Sequence, residues 1–376
     1  MIGVVLIFQA AAVPSGAPSP DSDIVVVARQ VAGAKRALEA CIARQCLPNE
    51  EIRAALVYST RQFLAGDYTA ARQTLMKTRH RTAKFDAQYP VAVSDLHRAL
   101  NSLANLDGHP DAARLSAFDA TDALRAGLAP DHPLILLQRL DTARQFAREG
   151  HLESCTQILN NVVSKAHKQG YYSVEAQALF QGAALFAALA TADPAYRNAA
   201  KLWRNRIADR TENEFGEYRD ALKLLDAQIA TLAVRRRDRD RVLANSKPIA
   251  TTEAMLLREP EVRDFGLVGT DANTKPEWAD VAFWVRADGS VADVMVLGRS
   301  KSLPGAWLAR KLTAVAGRRY APLKNPVDRR GMYRVERYSM VYPLLPITES
   351  RIPVRSGRGH LETTDITLAY RQPPAS

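Results

Sequence analysis

Only three cysteines occur in the 376 residues, at 41, 46 and 155. Structural zinc wants four ligands, and no histidine stands near Cys41 and Cys46 in sequence, so that pair makes a poor metal site. The short motifs of catalysis are missing too. There is no G-x-S-x-G, no H-E-x-x-H, no Walker phosphate loop and no G-x-G-x-x-G opening a helix after a strand. The seven histidines, at 80, 97, 109, 132, 151, 167 and 360, are scattered. Ser356–His360, "SGRGH", has glycines and basic residues without the strand–helix setting of a phosphate loop. The expectation is a non-enzymatic protein with no catalytic residue, no cofactor and no metal, although scattered groups can still converge in space. A run of about 20 apolar residues, the length a membrane-crossing helix needs, is absent as well.

The start, "MIGVVLIFQAAAVPSGAPSPDS", carries a shorter apolar run followed by small residues and prolines. Ala10–Ala12 suits a cleavage site, so residues 1–20 read as a signal peptide, although the usual basic flank is missing. The alternative is a disordered apolar tail. Cysteine use agrees with export: Cys41 and Cys46, at a helix end, form a candidate disulfide whose small loop is worth about 2 kcal/mol. Cys155 lies on an apolar helix face and reads as a small core residue. The expected location is the periplasm, as an exported soluble protein; anchoring in the inner membrane is the alternative.

The net charge of +11 is concentrated late in the chain, since Arg299–Arg358 holds fourteen Lys/Arg against Asp328, Glu336 and Glu349. Such a field suits an anionic envelope polymer, or simply solubility. Nucleic acid is the less suitable polymer for an exported protein.

Residues 31–245 are almost free of strand patterning and contain a repeat. "AGDYTAARQTL", "DGHPDAARLSA" and "EGHLESCTQIL" align, with Gly66, Gly108 and Gly150 each 42 residues apart. Glycine tolerates the positive φ of a sharp helix–helix turn. Pro90 and Pro133 suit helix starts. A fourth, degenerate unit begins at Thr191. The pattern resembles tetratricopeptide repeats of a 42-residue kind, which implies a solenoid whose groove binds a protein or peptide partner. The alternative is an array that only spaces other parts. Phe215, Tyr218, Leu222, Leu225, Ile229 and Leu232 then form a narrow stripe expected on a capping helix, with a dimer seam as the minor reading.

From Pro276 the period changes to two. Val281, Phe283 and Val285 share a face opposite Ala282 and Trp284, and Asp288-Gly289 predicts a two-residue hairpin turn with positive φ at both positions. The step from Val291 to Val294 predicts a β-bulge. Leu308, Leu312 and Val315 are helically spaced, and "GMYRVERYSMVYPL" predicts another strand. The fold class expected is multidomain: an all-α helical-repeat solenoid plus a small α+β (ββαβ) antiparallel-sheet domain. "VAFWVRADGSVADVMVL…WLARKLTAVAGRRYAP" resembles the C-terminal domain of TonB-type energy transducers, over about seventy residues.

That resemblance implies periplasmic residence and capture of an extended strand, such as one from an outer-membrane receptor, by an open sheet edge. The edge it implies is the last strand, with Arg334, Val335, Arg337, Tyr338 and Val341; the arginines read equally well as edge protection. A transducer role is the alternative function, although the chain lacks the family's long Pro-rich spacer and full membrane helix. "DIVVVARQ", within 21–30, reads as a short strand that could pair with this edge in cis or in trans. The remaining boundaries are 246–275 for a linker, 276–346 for the α+β domain and 347–376 for a basic tail.

Overall fold

The computed structural model describes residues 20–232, 251–260, 276–345 and 354–371, apart from 252, 327, 357 and 358, with 234, 238 and 241 as isolated positions. All but the last residue of the expected leader, and most of the expected linker, lie outside these residues.

Ten α-helices form the N-terminal region: α1 (Pro20–Ala43), α2 (Pro48–Leu64), α3 (Tyr68–Thr82), α4 (Pro90–Leu106), α5 (Pro110–Gly127), α6 (Pro133–Arg148), α7 (Leu152–Gln169), α8 (Tyr172–Ala192), α9 (Arg197–Ala208) and α10 (Gly216–Leu232). Consecutive helices pack on one another in series. Prolines open α2, α4, α5 and α6, where a missing N–H costs nothing. Gly66, Gly108 and Gly150 all take left-handed φ, between 75° and 82°. At each turn the residue after the glycine donates its N–H five residues back: Asp67 to Gln62 O, His109 to Ala104 O and His151 to Phe146 O. The 42-residue spacing therefore repeats one physical object, a glycine-capped helix end.

The strand expected over 21–30 is instead the first turns of α1. Its Ile and Val residues favour strands only weakly, and nothing from Asp21 to Ala43 interrupts the helix. Cys41 and Cys46 are joined as a disulfide across the α1–α2 turn, with Cα atoms 5.2 Å apart. Cys155 is fully buried. The fourth hairpin turns through Asp193-Pro194 rather than glycine and closes at Gly182, where an added Cβ would strike the Trp203 ring. Phe186 stacks on the same indole. The Phe215–Leu225 stripe packs on the core of the α6–α9 helices, and Leu224 of α10 is buried against Leu257 and Ala321 of the C-terminal region. Among the described residues α8 alone is long and apolar enough to cross a membrane, but half of that stretch is buried among its neighbours.

The C-terminal domain contains β1 (Leu256–Arg258), β2 (Glu277–Val285), β3 (Val291–Arg299), α11 (Gly305–Ala316), β4 (Arg319–Tyr320), β5 (Met332–Val341), β6 (Leu344–Leu345), β7 (Val354–Arg355), β8 (His360–Asp365) and α12 (Thr367–Arg371). An antiparallel sheet runs β3-β2-β5-β8, flanked by the small pairs β1-β4 and β6-β7. The strand–strand–helix–strand order thus stands, with additions at both ends. Part of the expected linker supplies β1, and the expected tail supplies the fourth strand of the sheet.

The β2–β3 hairpin closes through Arg286 N–H to Ser290 O, so its loop has three residues rather than two. Only Gly289 has positive φ; Asp288 does not, and its carboxylate instead accepts from Ser290 N and Oγ. A three-residue loop with glycine at its left-handed position needs only one such residue. The bulge falls at Asp293, where two steps on β2 face three on β3.

Residues 279, 281, 283 and 285 of β2, with Tyr338 and Met340 of β5, pack under α11. The opposite face, Ala282, Val335 and Val341, shares one hydrophobic cluster with Phe63, Leu75, Leu96 and Leu100 of the helices. The sheet is therefore covered on both sides, and the two regions share a core.

Under α11 lies a buried charge network. Arg318 donates to Glu336 at 2.6 Å and to Glu259 at 3.0 Å, Lys311 donates to Glu259 at 2.7 Å, and Tyr338 Oη donates to Glu336 at 2.6 Å. Burial alone would raise the Glu336 carboxyl, but Arg318 and Arg334 outweigh it and hold the group below the usual carboxylate range. Glu259 is depressed likewise, by Arg318 and Lys311 against its own burial. A depressed carboxyl stabilises the fold above its unfolded value, near pH 4.3, and the benefit disappears as pH falls through the folded value. The urea midpoint of this domain is therefore expected to drop between pH 5 and pH 3. Glu336→Gln should be less stable at pH 7 and flatter across that range. A wild-type midpoint that rises on acidification contradicts the assignment.

Candidate functional site

The sheet edge expected to be open is filled. β8 pairs with β5 from Glu336↔Asp365 to Val341↔His360, and Ile366 N–H reaches Val335 O at 2.9 Å. β5 is an interior strand, so Arg334, Val335, Arg337, Tyr338 and Val341 offer no free edge. Arg334 donates to Asp365 of the tail at 2.8 Å. Val335 and Val341 face the helices, while Tyr338 faces α11 beneath Lys311. Sequence periodicity placed these residues on a strand but could not show what lies beside it.

Arg337 is fully buried and joins the two regions. Its Nε and Nη2 donate to Asp280 at 2.6 and 2.7 Å. Nη1 donates to Phe63 O, which also accepts from the Gly66 N–H, and Nη2 donates to Leu64 O, both carbonyls at the end of α2. A cation there also meets the negative end of the helix dipole. The guanidinium lies 4.0 Å from the Trp278 ring and 4.7 Å from Phe63. Burial alone would weaken its hold on the proton, but Asp280 outweighs that and keeps it charged. Tyr370 of α12 donates to Asp280 at 2.8 Å, and Tyr68 and Ser339 hydroxyls pair at 2.7 Å. A Cβ on Gly66 would run into Trp278.

The next turn is held similarly. Leu344 N–H reaches Gly108 O at 2.7 Å, and Arg355 donates to Asp107 O at 3.1 Å. Two of the three repeated glycine turns are thus the seat of the C-terminal domain. Of the fourteen basic residues from 299 to 358, Lys311, Arg318, Arg334, Arg337 and Arg355 are held inward in such pairs, which leaves a weaker outward field than the sequence suggests.

The helices form an open groove elsewhere. α3 and α5 wall it and α4 floors it, through Val93, His97, Leu100 and Ala104, steps of three and four that share one helix face. One cavity of about 450 Å³ adjoins another of about 160 Å³, and Met76 and Arg79 line both. Met76, 39% exposed, and Leu115, 61% exposed, rim the smaller, apolar end.

The larger end is polar, with Asp86, Asp119 and Asp122 facing Arg79, His80 and His97. His97 is only 5% exposed, and its buried Nδ1 makes no hydrogen bond. Asp119 Oδ2 lies 3.5 Å away, near enough to attract a charge but outside hydrogen-bond geometry. Burial lowers the imidazole pKa; Asp119 and Asp86 oppose this and Arg79 adds to it, and the balance stays low. At neutral pH the ring is uncharged, with one nitrogen available as an acceptor. Arg79 stands 3.8 Å from Asp119, and Asp122 is engaged by Arg125 at 3.0 Å. A histidine at the 93–97–100–104 spacing was the one signal in the sequence for this site, and treating the histidines as scattered missed it.

No protein-family model matches the chain, and no curated protein matches it either.

Proposed function

We propose that this protein is a non-enzymatic interaction scaffold of the cell envelope, and that the α3–α5 groove receives an extended segment of a protein partner. The observation that carries this is the groove itself: a trough of two adjoining cavities with an apolar rim at Met76 and Leu115 and a polar end where buried His97 faces half-exposed Asp119. Large apolar side chains standing together in a concavity suit a partner better than they suit water. The 42-residue glycine period supports a tetratricopeptide-type array, whose helical grooves bind peptides. The Cys41–Cys46 disulfide favours an oxidising compartment, which supports the periplasm. The resemblance of 276–346 to TonB-type domains supports the same compartment. Capture of a partner strand at β5 has no place in the proposal, because the chain's own β8 already pairs there.

Panning a displayed random dodecapeptide library on the full chain tests this. Selected peptides should bind wild type and weaken about tenfold on Met76→Glu/Leu115→Glu, since charges in an apolar contact cost at least about 1.4 kcal/mol. Peptides that bind both proteins equally would place the binding surface elsewhere.

A further inference from the structure

We propose that the His97 end of the groove binds a cationic side chain, arginine or lysine, of a peptide whose nearby apolar residue rests against Met76 and Leu115. The inference rests on the peptide-binding reading above and specifies the peptide. Three carboxylates, Asp86, Asp119 and Asp122, face this cavity against the guanidinium of Arg79. With Asp119 3.8 Å from Arg79 and Asp122 engaged by Arg125, Asp86 is the carboxylate left over, a local negative excess in a chain whose formal charge is +11. His97 Nδ1 supplies a second, independent sign of a ligand. It is a buried hydrogen-bonding atom with no partner, and on the neutral ring it accepts from a donor in the tautomer that carries its proton on Nε2. A guanidinium or ammonium brings only donors, with the charge that the carboxylates lack.

The alternatives fit less well. An anion would meet three carboxylates. A bare metal ion needs converging ligands, and among the described residues the one such trio is Cys41, Cys46 and Glu50, whose cysteines form the disulfide. His97 and the aspartates do not converge in that way. Spacing then fixes the peptide's outline. Leu115 and Asp119 stand one helical turn apart, about 6 Å along α5, the length of about two residues of extended chain. The cationic and apolar residues should therefore be two positions apart, on the same side of the strand.

The probes are Ac-Leu-Ala-Arg-NH2 and its reverse, Ac-Arg-Ala-Leu-NH2, titrated into the full-length protein while the His97 imidazole is followed by long-range ¹H–¹⁵N NMR. At least one arginine probe should shift that resonance saturably. The citrulline analogue, nearly equal in size but uncharged, and the glutamate analogue, shorter and of opposite charge, should bind at least about fivefold more weakly, and Asp119→Asn should weaken the arginine probe similarly. His97→Phe gives a second reading if it folds; Asp119 is half exposed, so its variant keeps the test intact should His97→Phe not fold. Equal binding of arginine and citrulline probes, preference for glutamate, or a response to Zn²⁺ alone would overturn the cationic assignment. Preference for glutamate would leave the groove as a peptide site. Silence from every probe, joined to a library that enriches nothing, would remove the peptide reading as well.

Discussion

Replacing Arg337 by methionine is expected to destabilise the protein by about 3–5 kcal/mol, the range for breaking a buried ion pair from one side. The change leaves the Asp280 carboxylate buried with only the Tyr370 hydroxyl, the Leu64 carbonyl without its Arg337 donor and the Phe63 carbonyl with only the Gly66 N–H. Trp278, against which the guanidinium stacks, reports the event by fluorescence during urea unfolding. Arg337→Lys keeps the charge but cannot span Asp280 and both carbonyls with one planar fork, so it should fall between wild type and Arg337→Met. The double variant Arg337→Met/Asp280→Leu should lose less than the two single changes together, because no charge is stranded. Full additivity in that cycle would mean that the pair does not interact as described.

Truncation after Ser356 is expected to be the other severe change. It removes β8 and α12, and with them Asp365, which accepts from Arg334, Tyr370, which donates to Asp280, and the buried Ile366. Burial of one such side chain is worth about 2 kcal/mol. Two charge-assisted hydrogen bonds add about 1.5 kcal/mol each, giving a loss of roughly 5 kcal/mol. The exposed margin of β5 should also promote association, since an unpaired strand edge invites other strands. Light scattering should show oligomers of the truncated chain, and a synthetic 357–371 peptide should suppress them and restore the urea midpoint. A truncated chain that stays monomeric with an unchanged midpoint would contradict the assigned role of the tail.

What the sequence made legible follows from the range of each signal. The glycine turns, proline starts, bulge and strand–strand–helix–strand order are local, and local periodicity carries them. Arg337 illustrates the limit. "YRVERYSMVY" is strand-like by alternation, yet the same letters suit an exposed arginine on an edge and a buried one between two domains. The difference lies in Phe63 and Leu64, more than 270 residues earlier in the chain. β8 was hidden because His360–Asp365, "HLETTD", lacks apolar alternation; it joins the sheet by backbone pairing and by Asp365 meeting Arg334. "DIVVVARQ" misled in the opposite direction, since four β-branched residues in a row looked like a strand where helix continuity prevailed. His97 was within reach: an ionisable residue on an otherwise apolar helix stripe marks a place where something must meet it.

Residue-resolved amide exchange of β5 in the intact, isolated protein tests the central claim most directly. Val335 directs its N–H and C=O toward the tail, so Arg337, Ser339 and Val341 do the same, while Glu336, Tyr338 and Met340 turn to β2. With β8 in place both sets should be protected alike, whereas alternate amides of the edge strand β3 exchange quickly. Rapid exchange of 337, 339 and 341 beside protected 336, 338 and 340 would mean an open margin. Partner binding would then belong to the sheet, and not to the helical groove.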